Sequence, residues 1–234
     1  MYFAVRSGHT EAVRVLVAAR ADVNFDDGLH TTPQHVAAGC GRTAAVQIMI
    51  DAKADAELTD NDSSTALHYA AMNGHSAAMQ ALMNAKAPID AEGQFSRTAL
   101  HMAAESGRDA AVQILLDANA AVDVLNGWKK ETPLHCAATR KKSTALQALL
   151  AAKANVNLRD RFGSSALHAA AQCGHTPFAR ELVSRGAIVN YDGGDSRPPH
   201  GSAQMLVDMR ASAFAAAERN VTALHMTAYL GPAA

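Results

Sequence analysis

The feature that most restricts the fold of this chain is a short motif that returns at a nearly constant interval. Its clearest copy, Thr65-Ala-Leu-His68, continues into a pair of alanines, and Gly74 follows the histidine by six residues. From His35 onward the motif histidines are separated by 33, 33, 34, 33 and finally 57 residues. The other copies begin at Thr32, Thr98, Thr132, Ser165 and Thr222. A fixed period of this length indicates one supersecondary unit repeated along the chain.

The residues of each copy predict a helix, a turn and a second helix. The opening Thr or Ser is a good N-cap, and Pro33 and Pro133 stand at the first helical position. Glycines such as Gly74 predict the left-handed end of the first helix. Apolar residues at three- and four-residue spacing, such as Leu146 and Leu149, predict one buried face of the second helix. We interpret a second set of polar residues as the N-caps of the second helices: Thr10, Thr43, Ser76, Asp109, Ser143 and Thr176.

These motifs resemble the ankyrin repeat, whose period and T-P-L-H-x-A signature they share. The resemblance covers nearly the whole chain and implies an all-α solenoid of stacked helix-turn-helix units with hairpin-like connecting loops. It also implies that the motif histidines hydrogen-bond the capping Thr or Ser and connect adjacent turns. We place a partial repeat at 1–24 and full repeats at 25–57, 58–90, 91–123, 124–157 and 158–190, which are units 1 to 6 below.

The repeat register fails after residue 190. The next motif begins at Thr222, some 24 residues late, so we assign 191–220 to an insertion and 221–234 to a partial last repeat. A degenerate repeat is the alternative, because Arg197-Pro-Pro-His200 lies almost where the motif is due. All units belong to a single repeat domain at 1–234, and its ragged ends suggest a piece of a longer protein.

Two departures from the family pattern concern stability. Gln34 replaces the buried leucine of the motif in unit 2. The end of the second helix usually carries glycine in this family, but glycine stands there only at Gly186. The corresponding positions of the other units hold Arg20, Lys53, Lys86, Asn119 and Lys153.

Charge and cysteine content narrow the function classes. A net charge of −1 gives no general attraction to nucleic acid or to an anionic membrane surface. No segment approaches the roughly twenty apolar residues that a membrane-spanning helix needs. Cys40, Cys136 and Cys173 lie in different units without a Cys-x-x-Cys pair, so we expect free thiols. We therefore expect an intracellular monomer, cytoplasmic or nuclear, without a cofactor.

No sequence motif supports catalysis or metal binding. The motif histidines occur once per unit, and stacked helices lie about 8–10 Å apart, which is too far for neighbours to share zinc. The acidic pairs around Asp27 and Asp60 lack the remaining ligands of a calcium loop, and we interpret them as solvated turns. The sequence contains no phosphate-binding loop, His-Glu-x-x-His pair or nucleophile elbow. We predict a protein that is not an enzyme.

Residues that differ between copies are better candidates for function, because the repeat itself explains the shared ones. In the ankyrin family, partners often contact the loops before the first helix and the inner face of that helix, and the resemblance implies the same surfaces here. The candidate partner-binding residues are Tyr69, Met72, Asn73, Phe95, Met102, Glu105, Trp128, Lys129, Lys130, Arg140, Arg161 and Phe162. Phe25, Asp60, Arg159 and Gln172 occupy similar positions.

Unit 5 differs most from its neighbours. It has an extra loop residue, the single tryptophan of the chain, and a basic run at 140–142 in place of the usual Gly-His. Two interpretations remain open: a functional basic patch, or a solvated charged face with Trp128 packed on a neighbouring loop.

We expect the protein to be a protein–protein interaction scaffold. One alternative is the regulatory segment of a larger enzyme or signalling protein. Another is binding of nucleic acid or an anionic ligand through Trp128, Lys129 and Lys130.

Overall fold

The computed structural model describes residues 1–140 and 143–189, which form consecutive two-helix units. The main helix contacts lie either between the two helices of one unit or between helices of adjacent units. This serial arrangement confirms the predicted all-α repeat solenoid. The insertion at 191–220 and the partial repeat at 221–234 lie outside the described residues, and so do Lys141 and Lys142.

The first helix of a unit begins directly after its capping residue. The first helices are α1 (Tyr2–Ser7), α3 (Pro33–Gly39), α5 (Ala66–Asn73), α7 (Ala99–Ser106), α9 (Pro133–Thr139) and α11 (Ala166–Gln172). From α3 onward, the N-cap is the predicted Thr or Ser in an extended conformation, and the motif histidine completes a capping box. This part of the sequence prediction is confirmed.

The second helix begins one residue earlier than predicted. The second helices are α2 (Thr10–Ala18), α4 (Thr43–Asp51), α6 (Ser76–Asn84), α8 (Asp109–Asp117), α10 (Ser143–Ala151) and α12 (Thr176–Ser184). The N-caps are therefore not the predicted polar residues but, where described, the preceding ones: His9, Arg42, His75, Arg108 and His175. In α6, for example, the His75 carbonyl already accepts the first helical hydrogen bond, from Met79 N–H, so Ser76 stands too late to cap.

The core is a continuous apolar layer along the two rows of helices. The leucines of the motif, Leu67, Leu100, Leu134 and Leu167, are completely inaccessible to solvent. The paired alanines beside them are also buried, and their small side chains allow the first helices to pack closely. Unit 2 is the exception, because its Gln34 takes the place of leucine and is only 1% exposed. Among the described residues, the Nε2 of Gln34 finds no hydrogen-bond partner.

In most units, the backbone is left-handed just after the first helix and again just after the second helix. Gly41, Gly74, Gly107 and Gly174 have φ between 64° and 78° after the first helices, as predicted. The same geometry persists after the second helices, although most of those positions carry a side chain. Arg20, Lys53, Lys86, Asn119 and Lys153 have φ between 61° and 66°. The fold therefore imposes this conformation against the local preference of these residues.

Hairpin-like loops join the units, and an aspartate organises several of them. The N–H of Asp60 donates to the Ser64 carbonyl oxygen at 3.1 Å, and its carboxylate accepts the N–H groups of Asp62 and Ser64 at 2.9 Å. Asp160 closes its loop in the same way. Asp60 itself is not solvated as predicted, because it is buried and its carboxylate closes the loop, whereas Asp62 of the same turn is exposed.

Candidate partner-binding surface

The motif histidines join neighbouring units at the N-terminal ends of the first helices. Thr65 N–H donates to His68 Nδ1 at 3.1 Å, and the Thr65 hydroxyl lies 2.9 Å from the same atom. Because Nδ1 accepts, the ring proton stays on Nε2, which donates to the Arg97 carbonyl oxygen of the next unit at 3.0 Å. The same contacts to cap and next unit are made by His35, His101 and His135. Both ring nitrogens are thus committed to structural contacts.

A second set of contacts joins neighbouring units at the C-terminal ends of the first helices. These contacts come from the N-caps of the second helices, which reach back to the preceding unit. His75 Nε2 donates to the Gly39 carbonyl oxygen at 3.1 Å, and Arg108 Nε donates to the Met72 carbonyl oxygen at 3.1 Å. His175 makes the equivalent contact through Nδ1. First helices held at both ends provide a rigid support for the loops before them.

Burial keeps the motif histidines neutral. Desolvation is the main cause that lowers the pKa of His101 from 6.5 to about 4, against opposing hydrogen bonds to backbone carbonyls. Desolvation also lowers the pKa values of His35, His68, His135 and His168 below 6.5. A neutral ring agrees with the geometry, because Nδ1 accepts the N–H of the capping residue.

Exposed aromatic side chains gather at the loop tips of units 4, 5 and 6. Phe95, Trp128 and Phe162 are 67%, 60% and 46% exposed. The rings of Trp128 and Phe162 meet edge to face with centroids 5.5 Å apart. The guanidinium carbon of Arg161 lies 4.7 Å from the centroid of Trp128. We call these four residues the tip cluster.

Backbone hydrogen bonds between successive loops hold the tip cluster. Gly127 N–H donates to the Phe95 carbonyl oxygen at 2.6 Å, and Arg161 N–H donates to the Lys129 carbonyl oxygen at 2.8 Å. Gly127 permits the first contact, because a Cβ atom there would lie only 2.8 Å from the Phe95 carbonyl oxygen. The three loops are therefore joined tip to tip.

A slot opens between the aromatic side chains of units 4 and 5. This cavity of about 290 Å³ is lined by Phe95, Arg97, Asn126, Trp128 and Lys129. Asn126 is buried, and its side-chain oxygen accepts the N–H of residue 131 at 2.9 Å, which fixes the loop beneath Trp128. The aromatic side chains supply apolar walls, and Arg97 and Lys129 also line a second, charged cavity.

A charged cleft adjoins the slot and shares Arg97 and Lys129 with it. The cleft has a volume of about 270 Å³ and is lined by Arg97, Glu105, Lys129, Glu131, Cys136, Thr139 and Arg140. Glu105 accepts from Arg97 at 2.8 Å and from Arg140 at 2.7 Å. Lys129 Nζ lies 3.8 Å from the Glu131 carboxylate. These pairs favour the interpretation of a charged face, because Lys129 and Arg140 of the supposed basic patch both meet carboxylates.

The thiol that lines the cleft is held in its protonated form. Cys136 is buried, and its burial raises the pKa of the thiol to about 12. The thiolate, which is the nucleophile, is therefore scarce near neutral pH.

The candidates of unit 3 form a separate group on α5. The Tyr69 hydroxyl donates to the Asp60 carboxylate, and burial and this contact raise the tyrosine pKa. Asn73 Nδ2 donates to the Gly39 carbonyl oxygen at 3.1 Å and to that of Tyr69 at 3.0 Å. The ring of Tyr69 also meets His35 edge to face, with centroids 5.9 Å apart. These polar groups are used largely within the scaffold.

The structure thus divides the predicted site residues into two groups. It brings together Phe95, Glu105, Trp128, Lys129, Arg140, Arg161 and Phe162, with Lys130 exposed beside them. The candidates Tyr69, Met72, Asn73 and Met102 border neither the slot nor the cleft. Sequence reasoning missed Arg97 and Glu131, which a comparison of units could have found. They precede the capping residue, where the neighbouring units carry Ser64 and Ser164.

Two kinds of site are not found in the described parts of the chain. Among residues 1–140 and 143–189, no cluster of three His, Cys, Asp or Glu side chains is arranged to hold a metal ion. Over the same residues, no helix is both long enough and apolar enough to cross a membrane.

Comparisons with known proteins agree with this architecture. The crystal structure of the ankyrin repeat domain of Bcl-3, described as a unique member of the IkappaB protein family, is 27% identical with a TM-score of 0.76 and covers 90% of this chain and 96% of its own. The human ASB11 ankyrin repeat domain is 22% identical with a TM-score of 0.75 and covers 89% and 96%. No curated protein sequence matches the chain. A family model described as "Ankyrin repeats (3 copies)" matches residues 1–92, 35–126, 78–160, 100–193 and 141–233. The chain belongs to the ankyrin repeat family.

Proposed function

We propose that this protein is a non-catalytic scaffold that binds another protein through its loop tips and the concave face formed by the first helices. Ankyrin repeat domains are common protein–protein interaction modules, which gives the general class. The observation that supports a site is the tip cluster, where three large aromatic side chains remain exposed on loops that are hydrogen-bonded to each other. Exposed aromatic anchors on a rigid support are typical of binding hot spots.

The charge pattern supports a protein partner over nucleic acid. The cations Arg97, Lys129 and Arg140 already face the carboxylates Glu105 and Glu131. A phosphate backbone laid over this surface would meet those carboxylates as well as the cations. We also propose that the protein acts as a monomer inside the cell, in the cytoplasm or the nucleus, and free thiols at Cys40, Cys136 and Cys173 support an intracellular location.

Affinity capture with matched variants tests the proposal. Purified wild-type protein and the triple variant Trp128→Ala, Lys129→Ala, Lys130→Ala would be used as baits in extract of the native cells, and captured proteins quantified by mass spectrometry. We expect specific partners to fall roughly tenfold or more in the triple variant, as loss of a hot-spot aromatic predicts. Gln147→Ala, an exposed change on α10 of the same unit, should retain them. Equal capture by all three baits would reject the assigned surface.

A further inference from the structure

We propose that the slot and the adjoining cleft together bind an extended acidic segment of a partner protein, with one large apolar side chain in the slot and flanking carboxylates facing the cations around it. This inference rests on the proposed function and specifies the chemistry of the partner. It follows from the size of the slot, its rigid construction and the charges that surround it.

The slot has the size of a single side-chain pocket. Its volume of about 290 Å³ is just below the roughly 300–1,000 Å³ typical of small-molecule sites. Phe95 and Trp128 line it, and both keep more than half of their surface exposed. An aliphatic or aromatic side chain between them would remove apolar surface of both residues from water, which is the main source of affinity at a hot spot.

The slot is constructed before a partner arrives. Phe95 has the left-handed conformation (φ 58°, ψ 34°), which is unfavourable for an aromatic residue. Its carbonyl oxygen is held by Gly127 N–H at 2.6 Å, and Trp128 follows that glycine directly. The edge-to-face contact with Phe162 restrains Trp128 from the other neighbouring loop. A binding site whose aromatic walls are already positioned loses less entropy when a ligand enters.

The charges around the slot favour carboxylates. The slot and the cleft are lined by the cations Arg97, Lys129 and Arg140 and by the carboxylates Glu105 and Glu131. Two further cations lie beside them: Lys130, next to Lys129 in the loop, and Arg161, over the Trp128 ring. Glu105 and Glu131 already pair with Arg97, Arg140 and Lys129, whereas Lys130 and Arg161 form no ion pair among the described residues and remain to meet carboxylates of a partner. Complementary charge attracts an acidic segment and repels a basic one.

The same geometry disfavours a single strand of nucleic acid. Nonspecific binding of single strands needs aromatic faces on which successive bases stack, together with a groove of unpaired cations. One face of Trp128 is covered by the Arg161 guanidinium, and its ring is also contacted by Phe162.

Selection from a random peptide library tests the chemistry of the partner. The whole 234-residue chain would be immobilised and presented with a phage library of random twelve-residue peptides, with the Phe95→Ala variant used in parallel. We expect the enriched peptides to carry a large apolar residue within a few positions of Asp or Glu. Synthesised copies should bind Phe95→Ala at least tenfold more weakly than wild type. Enrichment of basic peptides, or of sequences without an apolar residue, would overturn the proposal.

The single tryptophan of the chain locates the bound peptide. Trp128 is the only tryptophan, so its fluorescence reports directly on the slot. A selected peptide without tryptophan should change the Trp128 emission in a saturable way, and a copy with its acidic residues changed to Lys should bind at least tenfold more weakly. Gly127→Ala should weaken the same titration, because its Cβ would separate the loops of units 4 and 5. Gln147→Ala on α10 is the matched control and should bind like wild type.

The outcomes separate this inference from the proposed function. Peptides that bind without changing the Trp128 emission would overturn the slot assignment. The scaffold function would still stand if partner capture then depended on other surface residues. A uridine oligonucleotide that alters the emission while no acidic peptide does so overturns the inference in favour of nucleic acid. A selection without any binder also counts against it.

Discussion

At the scale of single residues, the amide of Gln34 is a polar group buried at a position where the neighbouring units carry leucine. The corresponding residues Leu67, Leu100 and Leu134 are completely buried, and Gln34 Nε2 finds no acceptor among the described residues. Gln34→Leu should raise the free energy of unfolding by about 1–2 kcal/mol, because burying an unsatisfied amide costs roughly that amount. Urea denaturation followed by circular dichroism measures the change.

An exposed glutamine supplies the control for this substitution. Gln80 lies on the solvent side of α6, and Gln80→Leu should change the free energy of unfolding by no more than about 0.5 kcal/mol. If Gln34→Leu were neutral or destabilising, the amide would have a partner that the geometry does not reveal.

The turns after the second helices offer a second test at the residue scale. Lys53 has φ of 66°, and a residue with Cβ loses roughly 1 kcal/mol in this conformation relative to glycine. Lys53→Gly should therefore raise the free energy of unfolding by about 0.5–1 kcal/mol in urea denaturation. Ala52→Gly, at the neighbouring position with φ of −82°, should lower it instead. A stabilising effect of both changes would show that conformation at this turn is not the cause.

At the scale of helices, the motif histidines make the first helices sensitive to acid. The pKa of His101 in the folded protein is about 4, and those of His35, His68 and His135 are also below 6.5. Between about pH 6.5 and 4 the unfolded rings bind protons that the folded rings do not, so the free energy of unfolding falls as the pH decreases. Each such histidine contributes a slope of up to about 1.4 kcal/mol per pH unit. Thermal unfolding followed by circular dichroism should show a steep loss of Tm in this range.

A single substitution separates this effect from general acid denaturation. His101→Gln should be less stable than wild type near pH 7, because it loses the contacts to Thr98 and to the Glu131 carbonyl oxygen. Its stability should fall less steeply between pH 6.5 and 4, since one titrating ring is gone. Gln147→Ala, which removes no titratable group from an exposed position of α10, should keep the wild-type slope. An unchanged slope in His101→Gln would assign the acid sensitivity to other groups.

The helices and the caps of the first helices were the part of the fold that the sequence could predict. Helix spacing and the Thr-x-x-His box depend on residues close in the chain, so Thr65 and His68 could be interpreted from their separation alone. The N-cap at His75 was missed because its main interaction is with Gly39 of the preceding unit. The slot was also beyond sequence reasoning. Phe95 and Trp128 are loop residues whose proximity depends on how one unit stacks on the next.

At the scale of the whole molecule, the row of units makes stability a property of neighbours. Every main helix contact lies within a unit or between adjacent units, and both sets of cross-unit hydrogen bonds obey the same rule. In such a stack, each unit has its own stability and an interface energy with the unit on either side. A local defect should therefore weaken the structure most where it lies.

Hydrogen exchange of two matched leucine variants tests this expectation. Leu167 in unit 6 and Leu100 in unit 4 are both completely buried, and replacing either with Ala should cost about 2–5 kcal/mol locally. In Leu167→Ala, mass spectrometry should show faster exchange in α11 and α12 and a smaller increase in α9, while α3 to α6 keep wild-type protection. In Leu100→Ala, the increase should centre on α7 and α8 and extend to α5 and α9, because unit 4 has a described unit on each side. A uniform increase along the chain in both variants would mean that the molecule opens as one cooperative body, contrary to nearest-neighbour stacking.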